Sequence, residues 1–163
     1  MKYISIIAEE SSAAGLNRNN LKKIIILYEK FYKGIEKTAS DYDKIKLLKL
    51  LIEEIKFNDN YNSNRIKTNE GLNILNSINE NSKEYREVYR ELMCLKLMYE
   101  QEYDENLYNN IIDKVSKWNE IEDRKMLVKV YIKQAEYFIK KDRYEEAVKA
   151  IEETEKFSAY TYD

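Results

Sequence analysis

The most constraining feature of this chain is its lack of helix breakers: 163 residues contain no proline and only three glycines, Gly15, Gly34 and Gly71. Proline breaks a helix interior because it lacks an N–H and its ring clashes with the preceding turn. Glycine weakens an interior by about 1 kcal/mol relative to alanine. A β-rich fold would draw on many more turn formers. The expected class is therefore all-α, in one domain that buries about 70% of the unfolded surface.

Apolar residues recur at helical spacing along nearly the whole chain. The pattern predicts about seven helices. The first covers 17–38 through Leu21, Ile24, Ile25, Leu27, Phe31 and Ile35. Ser40 and Asp43 form a capping-box pattern ahead of the second, which runs through Ile45, Leu48, Leu51, Ile52 and Ile55. Residues 57–64 are rich in Asn, Asp and Ser and read as a loop. A third helix carries Ile66, Leu72, Leu75 and Ile78, with Gly71 inside it.

The fourth helix, over 83–101, is apolar on most sides of its C-terminal half and should be packed on several sides. Asp104 caps a fifth helix reaching Trp118. The sixth places Leu127, Tyr131, Ala135 and Phe138 on one stripe. Asp142 caps the seventh, which turns Tyr144, Ala147, Val148, Ile151 and Thr154 inward.

Spacing also repeats between helices. Ala135, Phe138 and Tyr144 share their intervals with Cys94, Leu97 and Tyr103, and with Ile52, Ile55 and Tyr61. The three tyrosines fall 42 and 41 residues apart, each at a turn between two helices. Over 121–157 the order Tyr131, Ala135, Phe138, Tyr144, Ala147, Ile151, Thr154 resembles the tetratricopeptide repeat, and Asp142–Ala147 resembles that family's inter-helix turn. Small residues at 135 and 147 let two antiparallel helices approach closely while aromatics fill the groove. The tyrosines are expected to pack each helix pair together.

The resemblance implies a tetratricopeptide-like α-solenoid of antiparallel helix pairs. Residues 1–39 would cap it, and 40–80, 83–118 and 121–157 would form the pairs. The earlier copies depart from the family: Ile52 stands where a small residue belongs, the period is longer, and no proline closes a repeat.

The residues that carry most enzyme chemistry are missing. The chain has no histidine, the commonest general base and zinc ligand, and its lone Cys94 has no histidine to activate it and reads as a small buried thiol. No glycine-rich phosphate loop is present. Asn58, Asn60 and Asn62 alternate like calcium ligands, but Ser63 replaces the required glycine and Asn69 the bidentate glutamate. Glu145-Glu146 and Glu152-Glu153 are neighbours on a helix, so each pair diverges by about 100° and does not converge on a substrate. No catalytic residue, cofactor or metal is expected.

Net charge is −2, with both signs interspersed and no basic run longer than pairs such as Lys22-Lys23 and Lys140-Lys141. Nucleic acid is not an expected partner. The short apolar start at 1–8 ends at Glu9, and no stretch has the length of a membrane span, so a cytosolic, membrane-free protein is expected.

The resemblance implies a protein or peptide partner on the face formed by the first helix of each pair. By position that face holds Lys49, Glu53, Lys56 and Phe57. The second copy adds Glu91, Leu95, Met98 and Tyr99, and the third Ile132, Glu136, Ile139 and Lys140; the alternative places Leu95, Met98 and Ile139 in the core. Bacterial peptide-sensing and regulatory proteins use similar repeats. The alternative expectation is a sensory or oligomerisation segment of a larger signalling protein. The apolar rings of Phe157, Tyr160 and Tyr162 near the C-terminal end motivate it, and a homodimer would cover them. A plain helical bundle is the competing architecture.

Overall fold

The computed structural model describes residues 23–27, 30, 33, 39–79, 82–100 and 102–158, and no strand occurs among them. Six helices have defined ends: α1 (Asp41–Phe57), α2 (Tyr61–Leu75), α3 (Lys83–Tyr99), α4 (Glu105–Val115), α5 (Ile121–Lys140) and α6 (Tyr144–Ser158). The protein is all-α. Of the helix expected over 17–38, residues 23–27, 30 and 33 are described and helical. The rest of it, residues 1–8 and the end 159–163 lie outside the described residues.

Local chemistry sets most boundaries. Ser40 Oγ accepts the Asp43 N–H at 3.2 Å and Asp43 accepts the Ser40 N–H at 3.3 Å, the expected capping box. Asp104 accepts the N–H groups of Asn106 and Leu107 at the start of α4. The loop expected over 57–64 is shorter. Phe57 ends α1, Asn60 caps α2 through the Ser63 N–H at 2.9 Å, and 61–64 are helical. Composition pointed to a turn there, but an asparagine at an N-cap starts a helix as readily as it makes a loop.

The last turn also differs from expectation. Asp142 takes a left-handed backbone, φ 57°, just past the end of α5. The Arg143 N–H reaches the Phe138 carbonyl and the Asp142 N–H reaches that of Ile139, which closes a Schellman motif. Asp142 therefore terminates α5, and its side chain accepts the Tyr144 hydroxyl at 2.8 Å instead of capping α6.

The chain divides after Tyr99 into two compact units, so the expected pair 83–118 contributes one helix to each. In the first unit α2 runs antiparallel to α1. Asn64 bonds the Ile55 carbonyl, and further along α2 a Cβ on Gly71 would meet Leu51 at 3.2 Å and Leu48 at 3.6 Å. The same Cβ would lie 3.0 Å from Leu92, so α1, α2 and α3 meet closely at Gly71. α3 packs on both neighbours and buries Tyr85, Val88, Tyr89, Leu92, Met93, Leu95 and Leu97, as its apolar character predicted. Ile25 joins Leu47 and Leu50 in a second apolar cluster.

In the second unit α5 and α6 form an antiparallel hairpin. Ala135, Phe138, Ala147 and Ala150 are buried together, and Tyr131 stacks on Phe157 with centroids 6.1 Å apart. The small residues at 135 and 147 thus occupy the close approach the sequence assigned to them. α4 lies against α5 and buries Tyr108, Ile111 and Val115.

The three marker tyrosines have different roles. Tyr103 lies just before the Asp104 cap, stacks on Tyr137 at 3.9 Å and accepts a hydrogen bond from Gln134, so it packs α4 to α5. Tyr61 donates to the Tyr99 carbonyl at 2.8 Å and joins α2 to α3. Tyr144 is 60% exposed and holds no helix pair together, which corrects its expected packing role.

Candidate interaction surfaces

Two surfaces, one in each unit, contain the residues that the repeat pattern singled out. In the first unit α1 and α3 run parallel, because the pairs between them advance together along both helices. Lys49 bonds Glu87 at 3.4 Å, and Lys56 bonds Glu91 at 2.7 Å as well as Glu53 at 3.0 Å. These residues are about half exposed, so each pair contributes well under about 1 kcal/mol. Burial alone would lower the pKa of the Lys56 ammonium. Hydrogen bonds to Glu91 and Glu53, together with their charge, outweigh burial and raise it.

The structure thus brings Lys49, Glu53, Lys56 and Glu91 together, and adds Glu87. That residue was legible as the glutamate one turn before Glu91 on the same stripe. Phe57 and Met98, at the C-terminal ends of α1 and α3, are 53% and 63% exposed. Two residues do not lie open on this face. Leu95 is buried, because its azimuth on α3 points into the helix layer. Tyr99 is half-buried: its ring meets Tyr61 edge-on at 5.3 Å and its hydroxyl accepts from the Asn64 amide at 2.9 Å. Tyr99 therefore secures helix packing and is not an open contact residue.

In the second unit the predicted residues lie on the outside of α5. Ile132 and Ile139 are 45% and 49% exposed, Lys140 is exposed, and Glu136 pairs with Lys133 at 2.8 Å. Sequence reasoning missed their neighbours. Tyr144, Val148 and Ile151 were expected to face inward, but all three are exposed. At about 100° per residue they share one arc of α6, beside the arc of Ala147 and Ala150 that α5 covers. Apolar residues thus cover about half of α6, and periodicity alone cannot tell which part of that half is buried. Ile121 extends the α5 stripe and is also exposed.

The Cys94 thiol, expected to be buried, is partly buried. Burial, then the neighbouring Tyr103, Glu136 and Glu100, push the Tyr108 phenol up to about 12. Burial likewise raises Tyr103 and Tyr131. Asn58 and Asn60, the candidate calcium ligands, are used in the α1–α2 turn: Asn58 bonds Asn64 and the Asn60 N–H, and Asn60 caps α2. No cluster of three or more His, Cys, Asp or Glu able to hold a metal occurs among the described residues. No helix among them is long and apolar enough to cross a membrane. Comparison with family models, with curated proteins and with solved structures finds no match to this chain.

Proposed function

We propose that the chain is a non-catalytic, tetratricopeptide-like helical-repeat scaffold that binds proteins or peptides in the cytosol. The observation that carries this reading is the apolar face of the last hairpin. Ile121, Ile132, Ile139, Tyr144, Val148 and Ile151 are all between 45% and 60% exposed on two adjacent helices. Isolated exposed apolar residues are ordinary, but a contiguous set rimmed by charge marks an interaction surface. The layering of α1, α2 and α3 supports the repeat reading. A first helix, its antiparallel partner and the next first helix lie side by side, as stacked helix pairs require.

The test is a panel of fluorescent helical peptides titrated against the wild-type chain and against two surface variants, Phe57→Ser/Met98→Ser and Ile132→Ser/Ile139→Ser. At least one peptide should bind in the micromolar range and lose affinity in one variant. A panel without binders, or binding indifferent to both variants, would end this reading. A second reading, an oligomerisation segment of a larger signalling protein, draws on the same face. In an antiparallel pairing of two α6 helices, Glu145 and Glu152 of one copy would meet Lys156 and Lys149 of the other. Sedimentation equilibrium separates the two readings.

A further inference from the structure

The two hairpins, α1/α2 and α5/α6, can be compared residue by residue. Both second helices open on a tyrosine, Tyr61 and Tyr144, and both pack antiparallel on the helix before them. A shift of 83 residues superposes their sequences, placing Ala135 on Ile52 and Phe138 on Ile55.

In the first hairpin a third helix covers one side. Tyr61 bonds the Tyr99 carbonyl, Gly71 faces Leu92, and Lys49 and Lys56 reach Glu87 and Glu91. The same shift puts Ile132 and Ile139 on Lys49 and Lys56, and Tyr144 on Tyr61. In the second hairpin these positions are about as exposed as Lys49, Lys56 and Tyr61 are in the first, but the packed helix pairs there are only α5 with α6 and α4 with α5 among the described residues, with no counterpart of α3.

Helical geometry places both uncovered stripes on one side. Turning about 90° around α5 from its α6 contact leads one way to Gln134 and Tyr137, which meet Tyr103 ahead of α4. The opposite turn leads to Ile132 and Ile139. Because α6 runs the other way, its stripe of Tyr144, Val148 and Ile151 opens on that same side. The hairpin thus offers the groove that α3 covers on its counterpart, and offers it without a covering helix among the described residues.

Charge indicates what fits. Beyond the isoleucine stripe, the outer flank of α5 carries the exposed Lys125, Lys129, Lys133 and Lys140 with Glu122 and Glu136. Lys125 and Lys133 pair with those glutamates, which leaves the positive surplus at Lys129 and Lys140. The helix that covers the first hairpin meets its lysines with glutamates.

We propose that the α5/α6 groove seats one amphipathic helix of a partner protein, parallel to α5, with an acidic flank over Lys129 and Lys140. This rests on the scaffold reading and gives it a site and a ligand chemistry. The helix would need a leucine-rich stripe about as long as α3, and aliphatic contacts where α3 has Glu87 and Glu91.

Two labelled, helix-stabilised 17-residue peptides test it. They share one leucine stripe and differ only in a glutamate or a lysine flank. Fluorescence anisotropy on the full chain should show the acidic peptide binding about tenfold tighter, a preference that added salt erodes. Ile132→Glu and Val148→Glu should each weaken it by about tenfold or more, with unchanged circular dichroism melts. Lys129→Glu/Lys140→Glu should invert the preference. Phe57→Ser/Met98→Ser should leave it intact.

Preference for the lysine peptide, or binding unaffected by Val148→Glu, overturns the proposal. So does a dimer in sedimentation that Val148→Glu dissociates, which would make a second copy the occupant. If the acidic peptide fails while another peptide binds through Phe57 and Met98, only this site falls. If no peptide binds either surface, the scaffold reading falls with it.

Discussion

The side-chain amide of Asn64 in α2 donates a hydrogen bond to the Tyr99 hydroxyl of α3 at 2.9 Å. The same buried amide shares its two N–H groups among that hydroxyl and the Asn58 and Ile55 carbonyls at 2.7 and 3.2 Å, and its oxygen accepts from the Asn58 amide at 2.9 Å. One residue, 1% exposed, thus ties the end of α1, the start of α2 and the end of α3 together. Removing it strands several buried acceptors and donors, and each such group costs about 1–3 kcal/mol. Asn64→Leu is expected to lose about 3 kcal/mol in urea titration, and Tyr99→Phe about 1 kcal/mol. Wild-type stability in both variants would mean the network contributes nothing.

Gly71 sits where a side chain would crowd Leu92 and Leu51, both buried. An alanine gains helix propensity and presses one methyl against flexible leucine ends, so its two effects nearly cancel. A valine cannot be absorbed so easily. Gly71→Val is expected to cost about 2–3 kcal/mol through overpacking, while Gly71→Ala stays within about 1 kcal/mol of wild type. Thermal melts of the pair check the contrast, and equal losses would refute the crowding argument.

Asp142 adopts the left-handed conformation that disfavours a side chain by about 1 kcal/mol. Asp142→Gly relieves this at the price of an exposed hydrogen bond to Tyr144. The variant is expected to gain about 0.5–1 kcal/mol, and Asp142→Val to lose more than about 1 kcal/mol. A destabilised glycine variant would show that the Asp142–Tyr144 bond outweighs the backbone term.

The Tyr108 phenol titrates at about 12 in the folded chain against an ordinary 10.0, chiefly because it is buried. Its folded pKa lies above its unfolded one, so this contribution to stability is complete below pH 10 and is lost as pH rises through 12. Alkaline unfolding followed by tyrosinate absorbance should therefore begin above pH 10. Tyr108→Phe should move its midpoint upward. No change in midpoint would place the alkaline sensitivity elsewhere.

The all-α class, the Ser40–Asp43 box, the Asp104 cap, the central placement of α3 and the tight positions at Ala135 and Ala147 were all legible in the sequence. Each depends on a residue and its near neighbours. What was not legible depends on azimuth and on partners far along the chain. Lys49 and Lys56 were legible as part of a face with Glu91, but not their ion pairs, because Glu87 and Glu91 belong to another helix, whose rotation only packing sets. Tyr144, Val148 and Ile151 look inward on any apolar count, yet α5 covers only the adjacent arc. The asparagines at 58–64 suggested a loop, and burial of Asn64 as a polar hub left no trace in composition.

The Asn64 hub also orders events in time. Tyr99 follows Asn64 by 35 residues, whereas the turn joining α5 to α6 is only Lys141–Arg143. Long loops close at greater entropic cost than short ones, so each hairpin, α1/α2 across 58–60 and α5/α6 across 141–143, can form from local contacts, while α3 joins the first only when the longer link to Tyr99 closes. During synthesis the N-terminal helices leave the ribosome first, yet they cannot be joined at the hub until Tyr99 has emerged. Stalled chains ending before Tyr99 are expected to show weaker hydrogen-exchange protection at Asn64 than chains extending well past it, which should gain protection together across α1, α2 and α3.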